Sequence, residues 1–363
     1  MTNRQRVLST LAHQPPDAVP YDCWATEVVY DRLARRLGVE SRENVLRALD
    51  VDLRVVEGPR YVGPELRAFE DGACADLWGV LRKQVRVERK GVAWTYKHVV
   101  RSPLAEMTST AEVDAYPGWP SADWWDYSSL ASDCAAVRAA GYAVVNAGDR
   151  LDRTAQLKTL MYLRGMEQTY IDIATDPGLV DCILHHIVSY FLEYNRRVFE
   201  AADGGIDIFM MGDDFGTQDG PIVGVDTWRR LFKPGFKAYI ELAHKFGIPV
   251  MHHTCGDVRA LIPDFIECGL DILQSLQPRA GMDLRRLKRD YGRDLCFHGS
   301  IDIQETLPRG TPADVRAEVA DRIEAGAREG GVILCTAHNI PPETPIDNVV
   351  ALFEAYRELG GRG

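Results

Sequence analysis

The sequence contains no run of apolar residues near the length of about 20 that a membrane-spanning helix needs. Its first residues, Met1 to Leu8, also lack the apolar segment of a secretion signal, which favours a cytoplasmic protein without a membrane partner. No Gly-x-Gly-x-x-Gly follows any predicted strand, and no internal repeat is found. The absence of that glycine motif disfavours a dinucleotide-binding turn.

Basic residues are too few to balance the acidic ones, and the formal net charge is -11. Phosphate binding depends on basic patches, so nucleic acid is disfavoured as a partner. The eight cysteines show no framework spacing, and in a reducing compartment most should be buried apolar residues. Hydrophobic residues at 46% and charged residues at 26% are typical of a globular enzyme.

Strands and helices alternate from Tyr142 onward, a pattern typical of a parallel α/β sheet. Counting one strand near 51 and one or two near 19 and 76, the predicted strands number about eight, the later ones near 142, 206, 248, 271, 295 and 332. We therefore predict a (β/α)8 TIM-like barrel forming a single domain over residues 1–363, with residues 57–125 as a hairpin-rich insertion. A doubly wound open sheet is the alternative.

Polar residues recur where the predicted strands end. The clearest case is residues 249–257, in which a short apolar run stops in two histidines, a cysteine, a glycine and an aspartate. The carboxyl ends of parallel barrel strands share one rim, so these side chains should meet in one pocket. They are Asp213, Asp214, His253, Cys255, Gln274, Gln277, His298, Cys335 and His338.

The pair His253-x-Cys255 suggests a metal site. Residues two apart in an extended segment project to the same face, and zinc accepts both nitrogen and sulfur ligands. Cys335 and His338 could each supply a third ligand. By the same alternation, His252 should face the opposite side and serve in packing.

Two carboxylate regions are further candidates. Asp213 and Asp214 could act as a metal ligand, as a general acid or base, or as a substrate clamp, because paired carboxylates in a pocket split their pKa values. A turn or helix-cap role is the structural alternative. Asp76 and Trp78 place an acid beside an aromatic ring after the early insertion.

Several motifs together resemble the uroporphyrinogen decarboxylase superfamily over nearly the whole chain. They are Arg4-x-Arg6-Val7-Leu8 with Pro15-Pro16-Asp17-x-Val19-Pro20, Asp76-x-Trp78-Gly79, Gly212-Asp213-Asp214-Phe215-Gly216, His253-x-Cys255-Gly256, His298-Gly299-x-Ile301-Asp302, and His338-Asn339-Ile340 before Thr344-Pro345. The resemblance implies a distorted (β/α)8 barrel and one of two chemistries.

The first chemistry is metal-free decarboxylation. True uroporphyrinogen decarboxylases carry an N-terminal Arg-Gln-Ala-Gly-Arg run whose arginines hold the porphyrinogen carboxylates. Here the corresponding residues 21–26 read Tyr-Asp-Cys-Trp-Ala-Thr. Without those bidentate partners, a highly anionic tetrapyrrole is disfavoured as substrate.

The second chemistry belongs to the corrinoid-dependent methyltransferases, which bind zinc through His-x-Cys-Gly and a later cysteine. His253 and Cys255 match that motif. Alignment on Thr344-Pro345 places His338 where the family has its last cysteine, so the third ligand is either His338 or Cys335. This departure fits relatives that demethylate small methylated compounds other than thiols.

The resemblance therefore implies a zinc-dependent methyltransferase that moves a methyl group between a small methylated substrate, such as a methoxylated aromatic or a methylamine, and a corrinoid-binding protein. Asp213, Asp214 and His298 would be catalytic, and Asp76, Trp78, Gln274 and Gln277 would bind substrate. The resemblance leaves room for a homodimer. The alternative is a metal-free decarboxylase of a smaller acid, with Asp214 or Asp76 relaying a proton and His338 as an acid. A third hypothesis is a non-catalytic corrinoid- or tetrapyrrole-binding protein.

Overall fold

The structure is a computed structural model that describes residues 1–89, 91–147 and 154–362. The helices are α1 (Asn3–Leu11), α2 (Glu27–Leu37), α3 (Arg42–Ala48), α4 (Thr110–Asp114), α5 (Leu130–Ala139), α6 (Leu157–Arg164), α7 (Met166–Thr175), α8 (Pro177–Ala201), α9 (Val225–Leu231), α10 (Lys233–Lys245), α11 (Ile262–Glu267), α12 (Leu284–Tyr291), α13 (Thr306–Arg309), α14 (Pro312–Glu324) and α15 (Ile346–Gly360). The strands are β1 (Leu53–Val56), β2 (Arg60–Tyr61), β3 (Cys74–Ala75), β4 (Leu81–Arg89), β5 (Val92–Arg101), β6 (Trp125–Asp126), β7 (Ala143–Asn146), β8 (Ile208–Gly212), β9 (Val250–His253), β10 (Ile272–Gln274), β11 (Cys296–Ile301) and β12 (Val332–Thr336).

A parallel sheet organises the molecule. In the described part of the chain it has seven strands in the order β1-β7-β8-β9-β10-β11-β12. The register aligns His253 with Gln274 and Gln274 with His298, so three residues from neighbouring strand ends lie at one level. This alignment brings residues that are distant in sequence to a single rim.

Residues 20–22 close this sheet into a barrel. The Asp22 amide donates to the Leu334 carbonyl at 2.8 Å, and the Leu334 amide donates to the Pro20 carbonyl at 2.9 Å. On the other side the Asp52 amide donates to the Tyr21 carbonyl at 3.1 Å. The predicted α/β barrel is therefore confirmed, with the early strand near 19 as its closing member.

The other early strand, predicted near 76, does not belong to the barrel. It corresponds to β3, which pairs antiparallel with β4, and β4 pairs in turn with β5. Short apolar segments do not reveal from sequence which sheet they join. The β3-β4-β5 sheet lies between β1 and β7 in sequence and overhangs the carboxyl rim of the barrel.

Two apolar clusters form the core, one inside the barrel and one between its strands and the helices around them. Inside the barrel, α1 contributes Val7 to a cluster formed with inward-facing residues of the strands, including Leu53, Met210 and Met251. Between strands and helices lies a larger cluster that includes Phe191 and Phe236. No helix in the described part of the chain combines the length and the apolar composition needed to cross a membrane.

The alternation along β9 decides which histidine enters the site. His252 is buried on the outer face among Phe215, Phe236 and Phe265, with ring centroids 4.9–5.7 Å away. Burial lowers the pKa of His252 to about 3. His253, the next residue, faces the rim instead, as the alternation predicts.

Candidate metal centre

Three donor atoms meet at the carboxyl rim of the barrel. They belong to His253, the last residue of β9, to Cys255 in the following turn and to His338 after β12, and they lie within 4.8 Å of one another. Cys255 Sγ is 3.5 Å from His253 Nε2, and the two imidazole centroids are 5.3 Å apart. His253 is buried, whereas Cys255 and His338 are half-buried. The barrel therefore holds the three donor residues, and solvent or a ligand can reach them from the half-buried side of Cys255 and His338.

Gln274 fixes the orientation of His253. Its side-chain oxygen forms a hydrogen bond with His253 Nδ1, and because an amide oxygen only accepts, Nδ1 carries the proton. The lone pair of His253 is then on Nε2, the atom that faces Cys255. Metal-ligating histidines are held in this way by an acceptor behind the ring. Gln274 is predicted from sequence to bind substrate. In the structure it is fully buried beside His253 and is not among the residues that line the cavity.

Gln277, also predicted to bind substrate, supports the backbone of the site. Its side-chain oxygen accepts a hydrogen bond from the Gly256 amide at 2.7 Å. It holds the turn that carries Cys255 and is not among the residues that line the cavity. The side chains of both glutamines thus contact the residues that carry or adjoin the donor atoms.

Asp214 and Lys158 form a charged pair beside the donors. Lys158 Nζ donates to Asp214 Oδ2 at 2.6 Å, and Asp214 Oδ1 accepts from the Cys255 amide at 3.2 Å and lies 3.5 Å from His253 Nε2. Burial alone would raise the pKa of Asp214, but the His253 ring, when it is protonated, and the Lys158 ammonium outweigh burial and hold that pKa well below its ordinary value. Asp214 is therefore an anion at the site. Burial, followed by Asp214, raises the pKa of the Cys255 thiol to about 12.

Asp213 has a different position from its neighbour. Its carboxylate accepts three backbone N–H bonds of 2.6–2.8 Å from residues 156–158, at the beginning of α6. Burial outweighs these donors and raises the pKa of Asp213 to about 6. Asp213 is predicted from sequence to be catalytic, and in the structure its carboxylate caps the beginning of α6, because consecutive residues leave a strand end on opposite sides.

A second, fully buried cluster contains the other two predicted residues. His298 Nε2 donates to Asp22 Oδ2 at 3.0 Å, and Cys335 Sγ lies with them in a group whose donor atoms are within 4.8 Å of one another. Trp24 separates this cluster from the first, since its ring stacks on His253 at 5.7 Å and contacts His298 at 6.0 Å. The structure thus places His338 beside His253 and Cys255 and groups Cys335 elsewhere.

A cavity of about 640 Å³ opens above the donor group. Trp24, Lys158, His253 and His338 line its floor, and Trp94 and Tyr96 of β5 line the opposite wall. Asp76 and Trp78, which the sequence predicts to bind substrate, also line the cavity. Asp76 accepts from the Trp78 and Val80 amides, both at 3.0 Å, and from Arg82 Nε at 2.8 Å, so its carboxylate also braces this wall.

Three further residues border the site but are not evident as site residues from the sequence: Asp22, Trp24 and Lys158. Asp22 is the last residue of the closing segment of the barrel, and Trp24 lies two residues after it, so neither residue follows a long predicted strand. Lys158 lies near the beginning of α6, at no strand end. A surface lysine in a helix gives no signal in sequence, and only the tertiary contact with Asp214 identifies it.

Gly256 should be intolerant of substitution. Its φ is +82°, and a Cβ there would lie 2.4 Å from the Gly216 carbonyl carbon and 2.5 Å from the Thr217 oxygen. We expect Gly256→Ala to lower the free energy of unfolding by about 3 kcal/mol, from left-handed strain and the backbone clash together. Gly247→Ala is the control, because its φ is +69° but nothing lies within 4 Å of the added Cβ. Equal losses of unfolding free energy for the two variants, measured in urea, would contradict the close approach of Gly216 and Thr217 to Gly256.

Comparison with known proteins agrees with this architecture. The family model described as Uroporphyrinogen decarboxylase (URO-D) matches residues 154–359. A methyltransferase structure from Methanosarcina mazei superposes with a TM-score of 0.66 at 17% identity and covers 99% of each chain, which shows the same fold.

Sequence relatives include two kinds of enzyme. The chain is 23% identical over 205 residues, 56% of this chain and 52% of the relative, to the methylated-thiol–coenzyme M methyltransferase of Methanosarcina mazei. It is 26% identical to the methylcobamide:CoM methyltransferase MtaA of Methanosarcina barkeri, covering 46% and 45% of the two chains. It is also 26% identical to the uroporphyrinogen decarboxylase of Thermus thermophilus, covering 49% and 50%. The chain spans about half the length of these curated relatives. It belongs to the uroporphyrinogen decarboxylase (URO-D) family.

Proposed function

We propose that this protein is a zinc-dependent methyltransferase that moves a methyl group between a small methylated substrate and the cobalt of a corrinoid-binding protein. The observation that carries the proposal is the group of His253, Cys255 and His338 at the floor of the cavity, with the lone pair of His253 directed at Cys255. Two of the similar proteins are named as methyltransferases of coenzyme M. We further propose that the chain is one barrel domain in which residues 57–125 cover the site.

The donor set fits zinc. Two imidazoles and a thiolate are ligands that zinc takes in proteins, and catalytic sites keep a fourth position open to substrate. Here the open side is the cavity. Zinc bound there would act as a Lewis acid on the heteroatom that carries or accepts the methyl group.

The protein's own groups would orient the substrate and control protons. Asp214 is an anion held by Lys158, so this pair can position a polar group beside the donors without a net charge. Trp24, Trp94 and Tyr96 line the cavity with aromatic rings that a planar substrate could contact, and a volume of about 640 Å³ is ordinary for a small-molecule site. A methoxylated aromatic fits this wall, and a methylamine is the smaller alternative.

The direct test combines metal content with methyl transfer. Protein purified without chelator should contain zinc at the central site, and a methylated substrate should convert cob(I)alamin to methylcobalamin, followed by absorbance. Removal of zinc with a chelator should stop the reaction, and added zinc should restore it. Turnover unaffected by complete zinc removal would overturn the proposal.

A metal-free decarboxylase is the second candidate, supported by the similarity to the Thermus thermophilus decarboxylase. Asp76 or Asp214 would then relay a proton, and His338 would act as the acid. Both carboxylates line or border the cavity, and His338 lies at its floor. Release of carbon dioxide from a small carboxylic acid by zinc-free protein would favour this function over methyl transfer.

The contact behind His253 provides a further prediction. Gln274→Met removes the acceptor for Nδ1–H at similar side-chain volume, so the imidazole loses its fixed tautomer and orientation. We expect zinc affinity, measured by competition with a chromogenic chelator, to fall about 10–100-fold. Gln274→Glu keeps an acceptor oxygen and should retain the affinity. A Met variant that binds zinc as tightly as the parent would show that Gln274 does not orient His253.

A further inference from the structure

A further group of side chains of the types that bind metals lies on the outside of the barrel, where α4 meets α8. Cys182 and His186 belong to α8, and Asp114 is the last residue of α4. Cys182 Sγ and His186 Nε2 both contact Asp114 Oδ1, at 3.3 and 2.8 Å. The three donor atoms lie within 4.8 Å of one another.

The backbone explains why these side chains converge. Residues four apart on a helix share one face, so Cys182 and His186 point the same way from α8. The packing of α4 against α8 then delivers Asp114 to that face. The three residues are thus brought together by tertiary structure and not by a local turn.

The orientation of His186 is fixed by an aromatic contact. The Trp119 ring stacks on its imidazole with centroids 4.4 Å apart and planes 9° apart, and Trp119 Nε1 donates to the Val113 carbonyl at 2.8 Å. The stacked ring holds Nε2 toward Asp114. The side chains of His186 and Asp114 remain 26% and 63% exposed, so an ion can enter from solvent.

We propose that Asp114, Cys182 and His186 form a binding site for a zinc-like divalent cation, with water as the fourth ligand. Tetrahedral bonds of about 2.0–2.3 Å place donor atoms about 3.3–3.7 Å apart. The hydrogen-bonded distances at Asp114 Oδ1 therefore need to open by only a few tenths of an Å. On binding, the Cys182 thiol gives its proton to solvent and becomes the thiolate ligand.

This cation would tie two parts of the fold together. Asp114 belongs to the segment between β1 and β7 that overhangs the site, and α8 packs against the barrel core. The bound ion therefore acts as a structural link that holds this cover in place. The inference does not depend on the proposed methyl transfer.

Cobalt(II) titration tests the site, because a thiolate ligand gives cobalt an intense charge-transfer absorption. The parent for the test is Cys255→Ser, which removes the thiol of the central site. We expect this variant to bind one equivalent of cobalt with thiolate absorption. Adding Cys182→Ser should abolish the absorption and weaken binding at least about tenfold, whereas adding Cys74→Ser, at an exposed cysteine elsewhere, should change neither.

The result separates the two sites. Absorption that is absent in Cys255→Ser, or that survives the addition of Cys182→Ser, overturns the surface site. Equal metal stoichiometry for the unmodified protein and Cys255→Ser would instead contradict the central site. Asp114→Asn, read by zinc-dependent thermal unfolding in the Cys255→Ser parent, gives a second measurement. We expect added zinc to raise the Tm of the Cys255→Ser parent but not that of the variant that also carries Asp114→Asn. An equal rise in Tm for both proteins would contradict the proposal.

Discussion

Cys255→Ser is expected to lower methyl-transfer turnover by about 10³-fold and to remove one equivalent of zinc per chain. The thiolate is the strongest of the three proposed ligands, and a hydroxyl does not ionise to replace it. Lewis-acid stabilisation by a metal amounts to several kcal/mol, and about 4 kcal/mol corresponds to three powers of ten in rate. Zinc content by mass spectrometry and methylcobalamin formation give the two readouts.

The Cys255→Ser substitution should disturb the fold little, so a loss of turnover can be assigned to the loss of the thiolate ligand. Serine is smaller than cysteine by only the difference between oxygen and sulfur, and Cys255 is half-buried rather than part of the packed core. The Asp214 contact with the Cys255 backbone amide is kept. Cys74→Ser is the control for loss of a thiol. A Cys255 variant with normal turnover and zinc content would remove the basis of the metal centre.

His338→Ala is expected to weaken zinc binding by more than about 100-fold, whereas Cys335→Ser should change it by less than about threefold. The sequence leaves the third ligand open between these residues. The structure places the His338 imidazole 5.3 Å from that of His253 and groups Cys335 with Asp22 and His298. Loss of a direct ligand should exceed the 10–100-fold effect of losing a supporting contact.

The pair of variants also carries its own structural control. Cys335 is fully buried, so Cys335→Ser is expected to cost some stability without loss of metal. His338 is half-buried in a loop, so His338→Ala should lose metal with little change in the unfolding of the zinc-free protein. The reverse pattern, with zinc lost in Cys335→Ser and kept in His338→Ala, would assign the third ligand to Cys335.

The repeating strand pattern predicts most of the barrel, including a strand near 19, but it does not reveal which of the early strands closes the ring. The buried strand β8 is a continuous apolar run, and β9 begins with one before its two histidines, so both strands are evident in sequence. Residues 20–22 form barrel hydrogen bonds over too few positions to show any period. The strand predicted near 76 corresponds to the two-residue β3 and pairs outside the barrel, because so few residues do not reveal the partner of a strand.

Within the site, the sequence predicts which residues approach the rim better than what they do there. His253 and Cys255 are two apart and share a face, which their spacing reveals. Asp213 and Asp214 are adjacent, yet one caps α6 and the other contacts Lys158. Gln274 reaches the predicted strand end but turns toward the His253 ring. Such roles depend on neighbours supplied by other strands.

The seam at residues 20–22 gives the ligand site a mechanical connection to the whole barrel. Asp22 forms both a seam hydrogen bond to Leu334 and the contact with His298, and two residues later Trp24 stacks on His253. Contact of a ligand with Trp24 is therefore linked through the chain to the hydrogen bonds that join residues 20–22 to β12. Occupancy of the cavity should slow amide exchange at Asp22 and Leu334, so that opening of the ring and release of the ligand become one event.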